Sequence, residues 1–192
     1  KKYIAVVFGV HNRDGLIDSL EAYALYQRMI GINPLDLYLI GDFSTLVNKF
    51  PENEVVKDII KENEIEDKVH FIGKVSNYKI PQLLINAQCL LSTPRHFVSG
   101  GFPTKLGEYL LSGVPVVVTK AGEVGEYLTD GVNAMVATPG KTREIADKIR
   151  YIHLNPHIAK KIGQRGKETA LSSFNADIYI DDLLKFINNI KI

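Results

Sequence analysis

Along the chain, short unbroken apolar runs alternate with longer stretches in which apolar residues return every third or fourth position. Runs of the first kind are Tyr3 to Phe8, Leu37 to Asp42, Lys68 to Gly73, Gln88 to Thr93, Pro115 to Thr119 and Asn133 to Ala137. Apolar, with many β-branched residues, and set off by turn residues, they predict strands. Helical spacing governs Leu16 to Gly31, where Leu16, Leu20, Tyr23, Ala24, Leu25 and Met29 recur, and Pro51 to Glu64, where Val55, Val56, Ile59 and Ile60 oppose a charged face. Shorter helices are predicted over Tyr78 to Asn86 and Thr104 to Ser112, with a single turn at Glu126 to Leu128. Three more close the chain: Thr142 to His153, Pro156 to Leu171 and Asp177 to Asn189. Strands that are apolar throughout need cover on both faces, and the alternating helices supply it. The pattern therefore predicts an α/β fold: a Rossmann-like, doubly wound parallel sheet of about six strands with helices on both faces. Such sheets bind ligands beyond the carboxyl ends of their strands. The polar loops Gly9 to Gly15, Gly73 to Ser76, Thr93 to Thr104 and Lys120 to Gly125 fall at that edge and are expected to converge on one crevice.

The stretch from Gly100 to Thr119 carries the most chemistry. Gly100-Gly101-Phe102 leads to Pro103, expected at the first helical position, where a missing N–H leaves nothing unpaired. Gly113 ends the helix, and the apolar run that follows reads as an interior strand. Backbone N–H groups at a helix start point outward in a positive field and suit phosphate oxygens. Lys105 and Glu108 are three apart and share a helix face, so a cation for phosphate and a carboxylate for hydroxyls are presented together. The plainer alternative is an ordinary strand-to-helix connection with Lys105 and Glu108 as a surface ion pair.

Composition narrows the field. With 23 Lys and Arg against 22 Asp and Glu the net charge is +1, and the basic residues are scattered, which argues against a nucleic-acid partner. The single cysteine, Cys89, lies in an apolar run, so an intrachain disulfide is excluded and a thiol metal site is not suggested. No run is long enough for a membrane span, and the first residues lack a signal-peptide pattern, which leads to the expectation of a cytoplasmic protein. All 192 residues are expected to form one domain. Because Lys1 leads almost directly into a strand, the chain is expected to be a piece of a longer protein.

The run Gly101-Phe102-Pro103-Thr104-Lys105-Leu106-Gly107-Glu108-Tyr109-Leu110, then Ser112 to Val117, then Glu126 to Gly131 before Asn133, resembles the C-terminal, donor-binding domain of family 4 (group 1) glycosyltransferases of the GT-B fold. Weaker echoes at Phe8-Gly9, Leu39 to Asp42, Phe71 to Val75 and Leu91 to Pro94 extend the resemblance over essentially the whole chain. It implies a nucleotide-diphosphate sugar as donor substrate, with retention at the anomeric carbon, no metal or other cofactor, and a place in polysaccharide or glycoconjugate synthesis. A sugar or lipid-linked acceptor would be held mainly by an N-terminal domain absent from this chain, and any peripheral membrane association would come through that half. By the same resemblance, Glu108 corresponds to the second glutamate of the family's paired-glutamate motif, which takes the ribose hydroxyls. Gly101, Phe102, Pro103, Thr104, Lys105 and Leu106 would approach the diphosphate, Gly73, Lys74 and Val75 would line the base, and Gly9 would complete the donor site. Two departures stand out. Gly100 replaces the first glutamate of the pair, and Val10 and Asp14 stand where Arg and Lys are usual, which leaves Arg13 and Lys105 as substitutes with Arg95 and His96 behind them. No catalytic residue is assigned.

The leading expectation is thus the donor half of a glycosyltransferase, inactive alone. The alternatives are a non-catalytic sugar-nucleotide-binding module, in keeping with Gly100, and a GT-B relative such as a sugar-nucleotide epimerase. A dinucleotide-dependent dehydrogenase is disfavoured because no Gly-x-Gly-x-x-Gly follows the first strand.

Overall fold

A computed structural model describes residues 2–9, 14–96 and 101–189. Among them, β1 (Tyr3–Val7), β2 (Asp36–Ile40), β3 (Val69–Gly73), β4 (Cys89–Ser92), β5 (Val116–Thr119) and β6 (Met135–Ala137) form one sheet in the order β3-β2-β1-β4-β5-β6. Every neighbouring pair is parallel, as the unbroken apolar runs require. Chain order reverses direction between β1 and β4, so the topological switch point lies there.

Successive strand side chains point to opposite faces, and the core divides accordingly. Ile4, Val6, Leu37, Leu39, Cys89, Leu91 and Val117 pack under α1 (Leu16–Ile30), α2 (Phe43–Lys49), α3 (Val55–Glu62) and α7 (Thr142–Leu154). Tyr3, Ala5, Ile40, Leu90, Val116 and Val118 pack under α4 (Ile80–Ile85), α5 (Thr104–Leu111) and α6 (Val124–Tyr127). The long helix α8 (Pro156–Ser173) gives Ala159 and Ile162 to the first cluster and Ala170 to the second. It crosses the turn before β5 so closely that a methyl group at Gly163 would lie 2.3 Å from the Gly113 carbonyl oxygen. The last helix, α9 (Ile180–Asn189), buries none of its residues.

The structure corrects several expected boundaries. The charged segment from Pro51 begins as a 3-10 turn, Pro51–Glu54, before α3, and a similar turn at Asn77–Lys79 precedes α4. Pro103 is the N-cap of α5, with φ −63° and ψ 121°, rather than its first helical residue; its extended ψ turns the chain into the helix one step later. Helix α2 was not foreseen. Asp42 creates it by capping: its carboxylate accepts the Thr45 N–H at 2.9 Å and the Thr45 hydroxyl at 2.7 Å, directly after β2.

Candidate functional site

Beyond the carboxyl ends of β1, β2 and β3 lies a cleft of about 760 Å³. Phe8 and Gly9 follow β1 into it, Gly41 and Asp42 follow β2, and Lys74 and Val75 follow β3. Helix α4 supplies an apolar wall of Ile80, Pro81, Leu84 and Ile85, and α5 supplies Lys105, Glu108 and Leu111.

Local chemistry fixes the orientation of α5. Leu106, Tyr109 and Leu110 are buried against the sheet, which turns Lys105 and Glu108 toward the cleft. The Tyr109 hydroxyl accepts the Val7 N–H at 2.7 Å and so ties the helix to the end of β1. Burial raises its pKa well above that of an ordinary phenol, so it remains a neutral hydroxyl. On the other side of the switch point, Gly15 has φ +69°, and a methyl group there would lie 1.9 Å from the Thr93 carbonyl oxygen. Only glycine permits this approach. The Thr93 hydroxyl also donates to the Gly15 carbonyl at 2.8 Å, so the start of α1 is pinned to the end of β4.

The charged groups in and beside the cleft are not arranged as a simple surface pair. Lys105 and Glu108 form no ion pair with each other. The Lys105 ammonium donates instead to Asp14 Oδ1 at 2.6 Å, while Asp14 Oδ2 accepts the Gly9 N–H at 2.7 Å. Glu108 is exposed, and its carboxylate makes no hydrogen bond or ion pair among the described residues. Lys74 is exposed on the far rim. Asp42 has a pKa held below the usual carboxylate value, first by the Thr45 N–H and hydroxyl and then by the Lys74 charge. Among the described residues no group of three or more His, Cys, Asp and Glu side chains is placed to hold a metal ion.

Of the residues singled out in the sequence, Gly9, Lys74, Val75, Lys105 and Glu108 are brought together in the cleft lining. Gly73 ends β3 just behind Lys74, and its carbonyl accepts the Gly41 N–H at 3.1 Å. The others do different things. Arg95 turns away to Asp18, donating through Nε and Nη2 at 2.7–3.0 Å, which raises its own pKa. His96 is exposed and outside the cleft lining. The Gly101 carbonyl accepts the Glu123 N–H at 3.3 Å, and the Phe102 ring packs on Tyr127 and Phe174. Pro103 is buried and its carbonyl accepts the Leu106 N–H at 2.9 Å; the Leu106 side chain is core, and Thr104 is exposed. Arg13 lies outside the described residues, as do Val10 and Gly100. The loop from Lys120 to Gly125, expected at the crevice, contributes no lining residue. Conversely, Asp42, Thr45, Asn77 and the α4 wall were not foreseen in the site. The sequence signal for Asp42 was its place as an N-cap right after a strand; the apolar residues of α4 looked like ordinary core.

The chain matches the family described as "Glycosyl transferases group 1" over residues 1–169. It is 26% identical over 132 residues to the N-acetyl-alpha-D-glucosaminyl L-malate synthase of Bacillus anthracis, covering 69% of this chain and 33% of that protein. Its fold superposes on that of Anabaena HepE, solved in complex with UDP-glucose, with a TM-score of 0.83 at 21% identity, covering 99% of this chain and 50% of that one. It also superposes on the C-terminal domain of LpcC, a group 1 family protein of Francisella tularensis, with a TM-score of 0.74 at 18% identity, covering 91% and 87% respectively. This chain therefore spans a third to a half of the first two proteins and most of the third, which is a C-terminal domain.

Proposed function

We propose, from the premise that this chain belongs to the group 1 glycosyl transferase family, that it is the donor-binding half of a retaining glycosyltransferase and that its cleft takes a nucleotide-diphosphate sugar. The observation that carries the reading is the pairing of Lys105 and Glu108 on one helix face above the carboxyl ends of β1 and β2. Glycosyl transfer leaves a nucleoside diphosphate, and its departing charge needs fixed donors. Lys105, with the Gly9 N–H and the start of α5, meets that need without a metal ion. Glu108 lies one helical turn further on, at the reach of a ribose, and a carboxylate accepts two hydroxyl hydrogens well. Val75 and the α4 wall form an apolar slot for the base, with Lys74 at its rim. The acceptor belongs to an N-terminal half, in keeping with the share of HepE that this chain covers. No membrane contact is proposed for this half; among the described residues no helix is long and apolar enough to cross a bilayer.

HepE was solved with UDP-glucose, which makes uridine nucleotides the first ligands to test. In calorimetric titration of the chain, UDP should bind measurably and uridine far more weakly, with the UDP affinity unchanged by a chelator. Equal affinity for UDP and uridine would remove the diphosphate from the site, and a large loss on chelation would contradict a metal-independent one. The chain alone should transfer no sugar to an acceptor.

A further inference from the structure

We propose that the Asp14 carboxylate is a built-in competitor for the donor diphosphate, occupying the Lys105 ammonium and the Gly9 N–H until a nucleotide displaces it; the proposal rests on the donor-site reading above. Its two oxygens bridge an ammonium at 2.6 Å and a backbone N–H at 2.7 Å. A phosphate group in this corner would engage the same two donors with two of its own oxygens. The groups meet at one spot: a methyl group at Gly9 would lie in van der Waals contact with Lys105 Nζ at 3.4 Å and with Asp14 Oδ2 at 3.7 Å. A carboxylate and a phosphate cannot both fill it, since each would also repel the other at short range.

The backbone decides how the corner can be vacated. Gly15, the next residue, is held against Thr93, which anchors the backbone on that side of Asp14. Rotation of the Asp14 side chain, which is 21% exposed and so has solvent beside it, can vacate the corner. The pair therefore works as an exchange. Without ligand, Lys105 is neutralised and held; with ligand, Asp14 turns toward water and the ammonium changes partner. The competing role is that Asp14 positions Lys105 for the diphosphate, and the two roles predict opposite signs.

The experiment measures UDP and uridine affinity in the unmodified chain, Asp14→Asn and Asp14→Ala, with thermal melting of each. Competition predicts UDP affinity raised about tenfold in both variants, since removing the carboxylate frees the full charge of Lys105, with uridine affinity unchanged. The gain should shrink in a Lys105→Ala background. Unaltered or weakened UDP binding in folded variants overturns the proposal while leaving the donor site standing. A gain of the same size in the Lys105→Ala background also overturns it, because the carboxylate would then act without Lys105. UDP binding by none of the variants, nor by the unmodified chain, overturns both this proposal and the donor-site reading.

Discussion

Two ion pairs flank the switch point, and they have opposite characters. In Arg95–Asp18 the carboxylate side chain is only 3% exposed, on the first turns of α1, and receives three hydrogen-bond contacts from one guanidinium. In Lys105–Asp14 both side chains are partly open, at 37% and 21%, and a single ammonium contact joins them. The first is a fork closed on a buried charge, which geometry and desolvation make hard to open. The second is a point contact beside an open cleft, where another anion can replace the carboxylate. In the sequence both cations were candidates for the diphosphate, Lys105 ahead of Arg95. Burial of the partner separates the structural pair from the exchangeable one.

Breaking the pairs should separate them in measurement. The largest stability effect is expected from Arg95→Ala, which strands the Asp18 charge. Half-exposed as the arginine is, the cost should be about 2 kcal/mol, or a melting temperature lower by roughly 5 °C, with UDP affinity nearly unchanged. Weaker UDP binding at undiminished stability would put Arg95 in the donor site after all. Lys105→Ala should do the reverse, lowering UDP affinity about tenfold or more while shifting the melting temperature far less, because an exposed pair contributes under about 1 kcal/mol. The smallest effect comes from a third polar contact, on the α1–α7 side. There the Tyr26 hydroxyl accepts the Leu35 N–H and meets His153 Nδ1. Burial, with a smaller contribution from the Lys2 charge, lowers the His153 pKa below its ordinary value. A lowered value means the fold prefers the neutral ring. Stability should thus be complete above about pH 6.5 and decline as pH falls below it, where the unfolded chain takes up the proton more readily. Melting curves between pH 5 and 8 should show this slope, and His153→Gln should flatten it.

How much of this could be read from the sequence depended on the range of the interactions involved. The strands and their parallel sheet were legible because burial on both faces leaves unbroken runs such as Val116 to Val118, and α5 was legible from its flanking turn residues. Lys105 and Glu108 were legible as a pair because helical spacing is local. The partners of the cations were not. Asp14 and Asp18 come from the segment after β1, while Lys105 and Arg95 come from the segments after β4, and only the β1–β4 pairing places them side by side. The α4 wall was hidden for a different reason. Ile85 has the composition of a core residue, yet it is 56% exposed and faces the cleft, and composition alone does not distinguish a core from the lining of an apolar slot.

Glu108 bears most directly on the account, since it is the residue assigned to reading the nucleoside sugar rather than its charge. The measurement is a cycle of UDP and 2′,3′-dideoxy-UDP affinities in the unmodified chain and in Glu108→Gln. A carboxylate accepting two ribose hydroxyls contributes about 1.5–3 kcal/mol, so the substitution should weaken UDP about tenfold or more and leave the melting temperature almost unchanged. The dideoxy nucleotide should bind poorly to the unmodified chain and be nearly indifferent to the substitution, because the same interaction is already missing from the ligand. Equal losses for the two nucleotides would mean that Glu108 does not read the ribose, and the donor site would lose the residue that gives it its chemistry.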